Sequence, residues 1–431
     1  MRSRWITCGW LAVLALIVTP LTSSAQTPDA AEALRQQIDQ LRKDFESRLS
    51  ALEAALAALP GGAPAPTPAA SPPTGETAQV PAGAAGAGGP SGALPAYGDA
   101  GGGSKVFNPD MAVIGDFLGA AGRNRVNPGP ALEMHESEAS FQAIIDPYAR
   151  GDFFVAFGEE GVELEEGFMT FPALPGGLLA KVGKMRSAFG KVNSLHNHVL
   201  PWTDRPLVTE NLVGGEEGIG DAGLSVARLI TNPWMFLEAT GQVYRGDSGD
   251  LFHSSKRGDL SYVGHLRGYQ DITESSNVDL GLSYARGHNA SGIVGDLDIG
   301  RFTTQLVGVD ATFRWRPLQR AIYHSFIWRS EFIWSRRNQP DATQRSTGYY
   351  VAGDYQFARR WFAGARYDRS DRADDASLLD TGQSLLVTFW PSEFSQIRGQ
   401  YRRTKYADSP TANELLFQFQ FSIGAHGAHP F

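Results

Sequence analysis

The 431-residue sequence has almost no cysteine and, after residue 25, no long apolar run. Its single cysteine, Cys8, lies in the N-terminal apolar stretch, so a processed chain would have no disulfide. Helical membrane proteins need repeated apolar runs of roughly 18 residues, which this chain lacks. The net charge of −8 and the absence of a basic block argue against binding to nucleic acid. If the chain crosses a membrane, it does so as a closed β-barrel, because only helices and closed barrels satisfy the backbone in lipid.

Recognisable enzymatic motifs are also missing. The sequence contains no Gly-x-Ser-x-Gly, phosphate-binding loop or His-Glu-x-x-His pattern. The arrangement most similar to a catalytic cluster is His253 with Ser254, Ser255 and Asp250, and we do not expect it to be catalytic. His196 and His198 are a weak metal signal, because tight sites use three or four ligands, and a structural role in a loop is favoured. We therefore expect no enzymatic activity, no cofactor and no bound metal.

The N-terminus indicates export. Arg2 and Arg4 precede an apolar stretch over residues 5–21, and small residues at 23–25 offer a cleavage site. Residues 1–25 are predicted to be a signal peptide. The alternative is an uncleaved inner-membrane anchor.

Two non-barrel segments follow. Residues 26–59 predict an amphipathic helix with a coiled-coil seam, which would be buried in an oligomer, most simply a homotrimer. An intramolecular helix packed on the barrel and a disordered tether are the alternatives. The seam consists of Leu34, Ile38, Leu41, Phe45, Leu49, Leu52, Leu56 and Leu59. Residues 60–104 are rich in Pro, Ala and Gly, which predicts a disordered linker in the periplasm.

Residues 105–431 alternate apolar and polar side chains with a period of two. This pattern predicts an all-β transmembrane barrel of about 16 antiparallel strands. A soluble β-sandwich would alternate too, but its strands would be fewer and shorter. The predicted strands are 111–122, 131–146, 148–160, 162–174, 178–192, 220–230, 234–246, 260–272, 275–288, 302–316, 324–337, 346–358, 361–371, 380–391, 395–407 and 413–424.

The strand ends and the C-terminus favour the outer membrane of a Gram-negative bacterium. Trp residues recur near strand ends, as an interfacial girdle requires. The last residue, Phe431, matches the terminal signal that the barrel-assembly machinery reads. We expect outer-membrane lipid around the barrel and the N-terminal helix in the periplasm.

Three short segments carry a resemblance to the phosphate-selective (O/P-type) porin family. They are residues 107–110 (FNPD), 182–190 (VGKMRSAFG) and 214–218 (GGEEG). The resemblance implies a trimeric channel with 16 strands, and the preceding helix is similar to the coiled coils of some sugar porins. Members line the pore with arginines and lysines, whereas basic and acidic residues are intermixed here. Phosphate selectivity is therefore not expected to carry over.

The functional residues of a passive pore are the charges that face its lumen. Alternation places ten charged residues there: Lys184, Arg186, Arg314, Arg329, Glu331, Asp354, Arg366, Asp368, Arg398 and Arg402. They could form a transverse field across a narrow part of the pore, or simply solvate the lumen and pair with one another. The long loop after the fifth strand, with His196 and His198, is the candidate constriction.

These patterns predict a porin for small hydrophilic solutes or ions, with a possible weak preference for anions. One alternative is a structural tether, in which the barrel anchors the helix and linker to the periplasm or cell wall. A less favoured one is a TonB-dependent-type uptake receptor, which needs about 22 strands and a plug.

Overall fold

A computed structural model of the full chain describes one closed antiparallel β-barrel of sixteen strands. It describes residues 110–424, except 159–160, 255, 290–292, 295–296 and 299–301, together with Lys43. The predicted signal peptide and linker, Phe431, and the coiled-coil helix apart from Lys43 lie outside these residues. Among the described residues, no helix is long and apolar enough to cross a membrane.

The strands follow one another around the barrel in chain order. They are β1 (Asp110–Arg123), β2 (Leu132–Asp146), β3 (Ala149–Gly158), β4 (Gly161–Leu174), β5 (Leu178–Arg186), β6 (Gly220–Leu229), β7 (Phe236–Tyr244), β8 (Ser261–Thr273), β9 (Ser276–His288), β10 (Ile293–Val294), β11 (Leu297–Asp298), β12 (Thr303–Trp315), β13 (Ser325–Asn338), β14 (Thr343–Ala358), β15 (Trp361–Asp371), β16 (Leu379–Ser392), β17 (Ser395–Lys405) and β18 (Ala412–Gly424).

The ring closes where β1 pairs with β18, with Val113 opposite Ile423 and Gly119 opposite Phe417. Strands β10 and β11 form a separate two-stranded hairpin in the loop between β9 and β12, which the sequence analysis did not predict. The other sixteen strands confirm the predicted barrel. Apart from the end of β5, their ends lie within three residues of the predicted positions.

The barrel has an apolar outer face and a polar inner face. On β16, Leu385 is 62% exposed, whereas Ser384 and Thr388 are buried inside. On β18, Leu415 is 60% exposed, whereas Gln418 is buried inside. This arrangement inverts that of a soluble β-sandwich, and it gives the ring an outer surface suited to lipid.

The two rims of the barrel differ in the lengths of their connections. Short turns at one rim join β2 to β3, β8 to β9 and β16 to β17. The three longest connections, those after β5, β7 and β9, lie at the other rim, which we call the long-loop rim. Strand β1 begins and strand β18 ends at the short-turn rim.

The predicted end of the fifth strand is wrong by six residues. Strand β5 ends at Arg186, and residues 187–219, which we call the inner loop, turn into the barrel. The backbone amide of Ser187 donates to the carbonyl of Ile219 (2.7 Å), which holds the two ends of the inner loop together. The Asn193 side chain donates to the Ser187 carbonyl (3.0 Å) and accepts from the Ile219 amide (2.7 Å). These bonds satisfy buried backbone groups that would be paired with a neighbouring strand if the chain continued along the barrel wall.

The inner loop carries a 3-10 turn at Asn197–Val199 and a short helix, α1 (Leu207–Leu212). The helix follows Pro206, whose fixed φ suits a helix start. Val208 and Leu212 of α1 are buried, and the helix lies against β14 and β15. The inner loop is therefore a folded element inside the barrel.

Candidate functional site

The inner loop crosses the barrel interior. Near its start, the backbone amide of Gly190 donates to Ser283 Oγ on β9 (2.9 Å), and Lys191 Nζ lies 2.9 Å from Asp279 Oδ2. A few residues later, His196 reaches Glu138 on β2 and Glu166 on β4. Strand β4 is separated from β9 by four strands along one side of the ring. The loop therefore spans the lumen instead of following its wall.

Gly190 is the tightest point of this path. Its φ of +61° favours glycine, and a Cβ there would lie 1.7 Å from Glu331 Oε1. Glu331 also accepts hydrogen bonds from the backbone of Lys191 and Val192. Glu331 therefore holds the inner loop against β13, a structural role that alternation along the strand does not reveal.

Farther along, the inner loop meets three arginines that we call the arginine cluster: Arg366 on β15, and Arg398 and Arg402 on β17. Arg366 and Arg398 are buried, and Arg402 is half-buried. Asp204 lies 2.7 Å from Arg366 Nη2 and 2.9 Å from Arg402 Nη1. Arg398 donates to the Leu200 carbonyl (3.0 Å). One loop carboxylate thus pairs with two arginines, and a loop carbonyl accepts from the third.

The charge of Asp204 is maintained by these arginines. Burial acts to raise the pKa of Asp204, but Arg366 and Arg402 outweigh it and hold that pKa at about 2. Arg366 pairs with Asp368 (2.8 Å) and Arg402 with Glu414 (2.7 Å), so both also have carboxylate partners on the wall.

On another part of the ring, the inner loop meets four glutamates that we call the glutamate cluster: Glu136 and Glu138 on β2, and Glu165 and Glu166 on β4. His196 Nδ1 lies 2.6 Å from Glu138 Oε2 and also 2.6 Å from Glu165 Oε2. His196 Nε2 lies 2.8 Å from Glu166 Oε2. His198 Nδ1 lies 3.7 Å from Glu138 Oε2. Histidines of the loop therefore face carboxylates of the wall.

Apolar packing fixes the loop between these charged contacts. Trp202 is 1% exposed; its ring meets Tyr350 edge-on at 5.2 Å and lies 4.8 Å from the Arg366 guanidinium carbon. Phe189 and Phe154 are also fully buried in the same apolar cluster. Packing of this kind inside a barrel narrows its lumen.

A cavity of about 880 Å³ opens above the glutamate cluster at the long-loop rim. We call it the vestibule. Carboxylates outnumber Lys and Arg in its lining. The acidic residues are Glu133, Glu136, Glu163, Glu165, Glu216, Glu217, Asp221 and Asp247, and the basic ones are Lys184, Arg186 and Arg245. The vestibule is therefore negatively charged.

The ten residues predicted to face the lumen divide into two groups. Lys184 and Arg186 line the vestibule, where Lys184 Nζ lies 3.1 Å from Glu163 and Arg186 Nη2 lies 3.2 Å from Glu165. The other eight lie on the inner face of the barrel, and they are Arg314, Arg329, Glu331, Asp354, Arg366, Asp368, Arg398 and Arg402. Most of these eight contact charged neighbours or the inner loop.

Most of these inner charges form ion pairs with one another or with neighbouring residues. Arg329 contacts Asp354 closely, and Arg366 pairs with Asp368. Arg314 is half-buried on the same face. His196 and His198, predicted for a constriction loop, are both buried within the inner loop.

Sequence reasoning missed the partners of the inner loop. Glu136 and Glu138 share the inward parity of β2, so the strand pattern alone could have identified them. Asp204 and Asn193 lie in an aperiodic segment that offers no such signal. Their contacts depend on which strands the loop reaches.

Comparisons with known proteins agree with this fold. An anion-selective porin from Comamonas acidovorans superposes with a TM-score of 0.51, covering 73% of this chain and 99% of that one at 9% identity. OprB of Pseudomonas putida gives a TM-score of 0.49, covering 73% and 94% at 11% identity. An uncharacterized protein of Aquifex aeolicus is 29% identical over 388 residues, covering 76% of this chain and 81% of that protein. No family model matches the chain.

The class that these observations define is the sixteen-stranded barrel found in outer-membrane porins. The narrower resemblance to phosphate-selective porins stays a prediction, since no family model matches. Its most recognisable segment, residues 182–190, is where the chain leaves the wall and enters the lumen.

Proposed function

We propose that this protein is an outer-membrane porin through which small hydrophilic solutes or ions diffuse, and that its inner loop forms the constriction. The observation that carries this proposal is a polar, charged inner face crossed by a folded loop, within a ring whose outer face is apolar. A polar interior of this kind is typical of the water-filled lumen of porins. Diffusion through the barrel requires no catalytic group, so the protein is not an enzyme in this proposal.

The long-loop rim is the external side in this proposal, and the N-terminal helix lies in the periplasm. Strand β1 begins at the short-turn rim, which is the periplasmic side in this proposal. A homotrimer joined through the coiled coil, and assembly through Phe431, complete the proposal and follow from the sequence pattern.

Conductance tests the proposal. The purified full-length chain in planar lipid bilayers is expected to give discrete current steps in KCl. A barrel that serves only as a tether would insert without steps, and that result would reject the porin. Deleting residues 26–104 is the companion experiment: a porin keeps conducting, whereas loss of a tether makes cells shed envelope.

We further propose that the vestibule favours cations, in contrast to the weak anion preference expected from the sequence. Carboxylates dominate its lining, and a charged entrance concentrates counter-ions. Arg398 and Arg402 face the barrel interior but are bonded to the inner loop and to the wall. The vestibule therefore carries more of the selectivity than these arginines do.

Reversal potentials across a KCl gradient distinguish the two sources of selectivity. The double variant Glu163→Gln, Glu217→Gln is expected to shift the reversal potential toward anions. Glu274→Gln, an exposed carboxylate at the opposite rim, serves as the charge-matched control and is expected to leave it unchanged. A larger shift from Arg398→Ala or Arg402→Ala than from the vestibule variant would assign selectivity to the arginine cluster.

A further inference from the structure

We propose that the glutamate cluster, together with His196 and His198, is a binding site for a divalent transition-metal ion such as Zn²⁺. Ligand atoms of Glu138, His196 and His198 lie within 4.8 Å of one another, and so do carboxylate oxygens of Glu136, Glu138 and Glu165. The two groups share Glu138. Ligand atoms of a tetrahedral zinc ion lie roughly 3.3 Å apart, because each bond is about 2.0–2.1 Å long, so side-chain shifts of about 1 Å would bring either group to binding geometry.

The hydrogen bonds of the described residues do not satisfy every carboxylate oxygen of this cluster. Oxygens of Glu138 and Glu165 both lie 2.6 Å from His196 Nδ1, which carries at most one proton. When that proton is donated to Glu138, the buried Glu165 Oε2 has no other hydrogen-bond donor among the described residues. One proton therefore cannot satisfy both oxygens, whereas a metal ion in this position could.

Glu136 provides an independent indication. It is 6% exposed, and its Oε2 accepts a hydrogen bond from Asn197 Nδ2 (3.2 Å). Its Oε1 is buried with no hydrogen-bond partner among the described residues. A buried carboxylate oxygen without a donor is costly, and a bound cation is one way to offset that cost.

The charge balance points the same way. Four carboxylates meet in the cluster, and Arg186 is the one Lys or Arg side chain that the described residues place within 4.0 Å of them. His196 and His198 add positive charge only when protonated. A divalent ion would offset the excess negative charge, and it would replace any proton on its imidazole ligands.

The donor set decides which ions fit. Imidazole nitrogen combined with carboxylate oxygen suits Zn²⁺ and related ions, whereas Ca²⁺ and Mg²⁺ prefer oxygen alone. The site also joins two parts of the fold, because the histidines belong to the inner loop and the glutamates to β2 and β4. A bound ion would link the loop to the wall. This binding does not depend on whether the barrel conducts.

Calorimetry on the full-length, untagged chain in detergent tests the site. Zn²⁺ is expected to bind saturably with a stoichiometry of one, and Ca²⁺ and Mg²⁺ much more weakly. Replacing Zn²⁺ by Co²⁺ gives a visible absorption spectrum that reports imidazole and carboxylate coordination directly.

Two variants and two matched controls locate the ion. His198→Ala and Glu136→Gln are each expected to weaken Zn²⁺ binding on the order of 10–100-fold. His253→Ala and Glu274→Gln lie outside the cluster and are expected to keep the affinity. Glu136→Gln preserves side-chain size, so it stays informative if His198→Ala does not fold. Absence of saturable Zn²⁺ binding, or equal affinity in all four variants, would overturn the proposal.

Discussion

The arginine cluster and the glutamate cluster are held by the same inner loop, but their charges are balanced to different degrees. In the arginine cluster, Asp204 pairs with Arg366 and Arg402, and each of these two arginines has a second carboxylate on the wall. Arg398 instead donates to the Leu200 carbonyl and to Gln418. In the glutamate cluster, four carboxylates share Arg186 and the loop histidines. The carboxylates of the first cluster are therefore compensated by arginines of the protein itself. In our proposal, the carboxylates of the second cluster are compensated only when a cation is also bound.

The two clusters show how a loop can be held inside a water-filled barrel. At two places the inner loop faces wall residues of opposite charge: His196, when protonated, faces glutamates, and Asp204 faces arginines. Charge-assisted hydrogen bonds are short and directional, so they fix the position of the loop on the wall. Trp202 and Phe189 then fill the space between the charged contacts.

Removing the contacts of the inner loop with both clusters at once has the largest expected effect on conductance. Replacing residues 191–216 with a short Gly-Ser linker should increase single-channel conductance severalfold, because the loop no longer crosses the lumen. Shortening the exposed loop at residues 124–131 is the control and should leave conductance near that of the parent. Equal conductance of the parent and the inner-loop variant would show that the loop does not limit flow.

Asp204→Asn removes the ion pairs between the inner loop and the arginine cluster and leaves the glutamate cluster unchanged. Loss of one partner of a buried ion pair typically costs about 3–5 kcal/mol, because the remaining charges lose their compensation. The expected result is release of the inner loop, measured as faster proteolysis between residues 187 and 219 with the barrel intact. Asp375→Asn, at a partly exposed carboxylate that contacts neither cluster, is the matched control. Unchanged proteolysis of Asp204→Asn would mean that the remaining contacts suffice.

Acid should weaken the same cluster. Arg366 and Arg402 hold the pKa of Asp204 near 2, below its unfolded value, so Asp204 stabilises the docked loop above about pH 4. That contribution, about 2 kcal/mol, is lost as the pH falls from 4 to 2. Proteolysis with an acid-active protease should therefore increase over this interval in the parent and change less in Asp204→Asn.

Glu136→Gln should have the smallest effect on stability, and it should not destabilise the protein as Asp204→Asn does. In metal-free protein it removes one excess negative charge from the glutamate cluster, so thermal stability should stay the same or rise by about 1 kcal/mol. Differential scanning calorimetry in EDTA measures this. A destabilisation like that expected for Asp204→Asn would show that the glutamate cluster is already balanced without an added cation.

The ring of strands follows from the amino-acid sequence. A period-two alternation in strands long enough to span a membrane fixes which side chains face lipid, because neighbouring residues of a strand point to opposite sides. The alternation alone therefore assigns Leu385 and Ser384 to opposite faces, and it is sufficient to count sixteen strands.

The inner loop and its partners, in contrast, depend on the tertiary structure. The alternation predicted that β5 continues to residue 192, but the chain leaves the wall after Arg186, where Asn193 bonds both ends of the loop. Asp204 meets Arg366 across 162 residues of sequence, and His196 meets Glu138 across 58. Local periodicity contains no information about such contacts, because closure of the barrel is what brings distant strands around one loop.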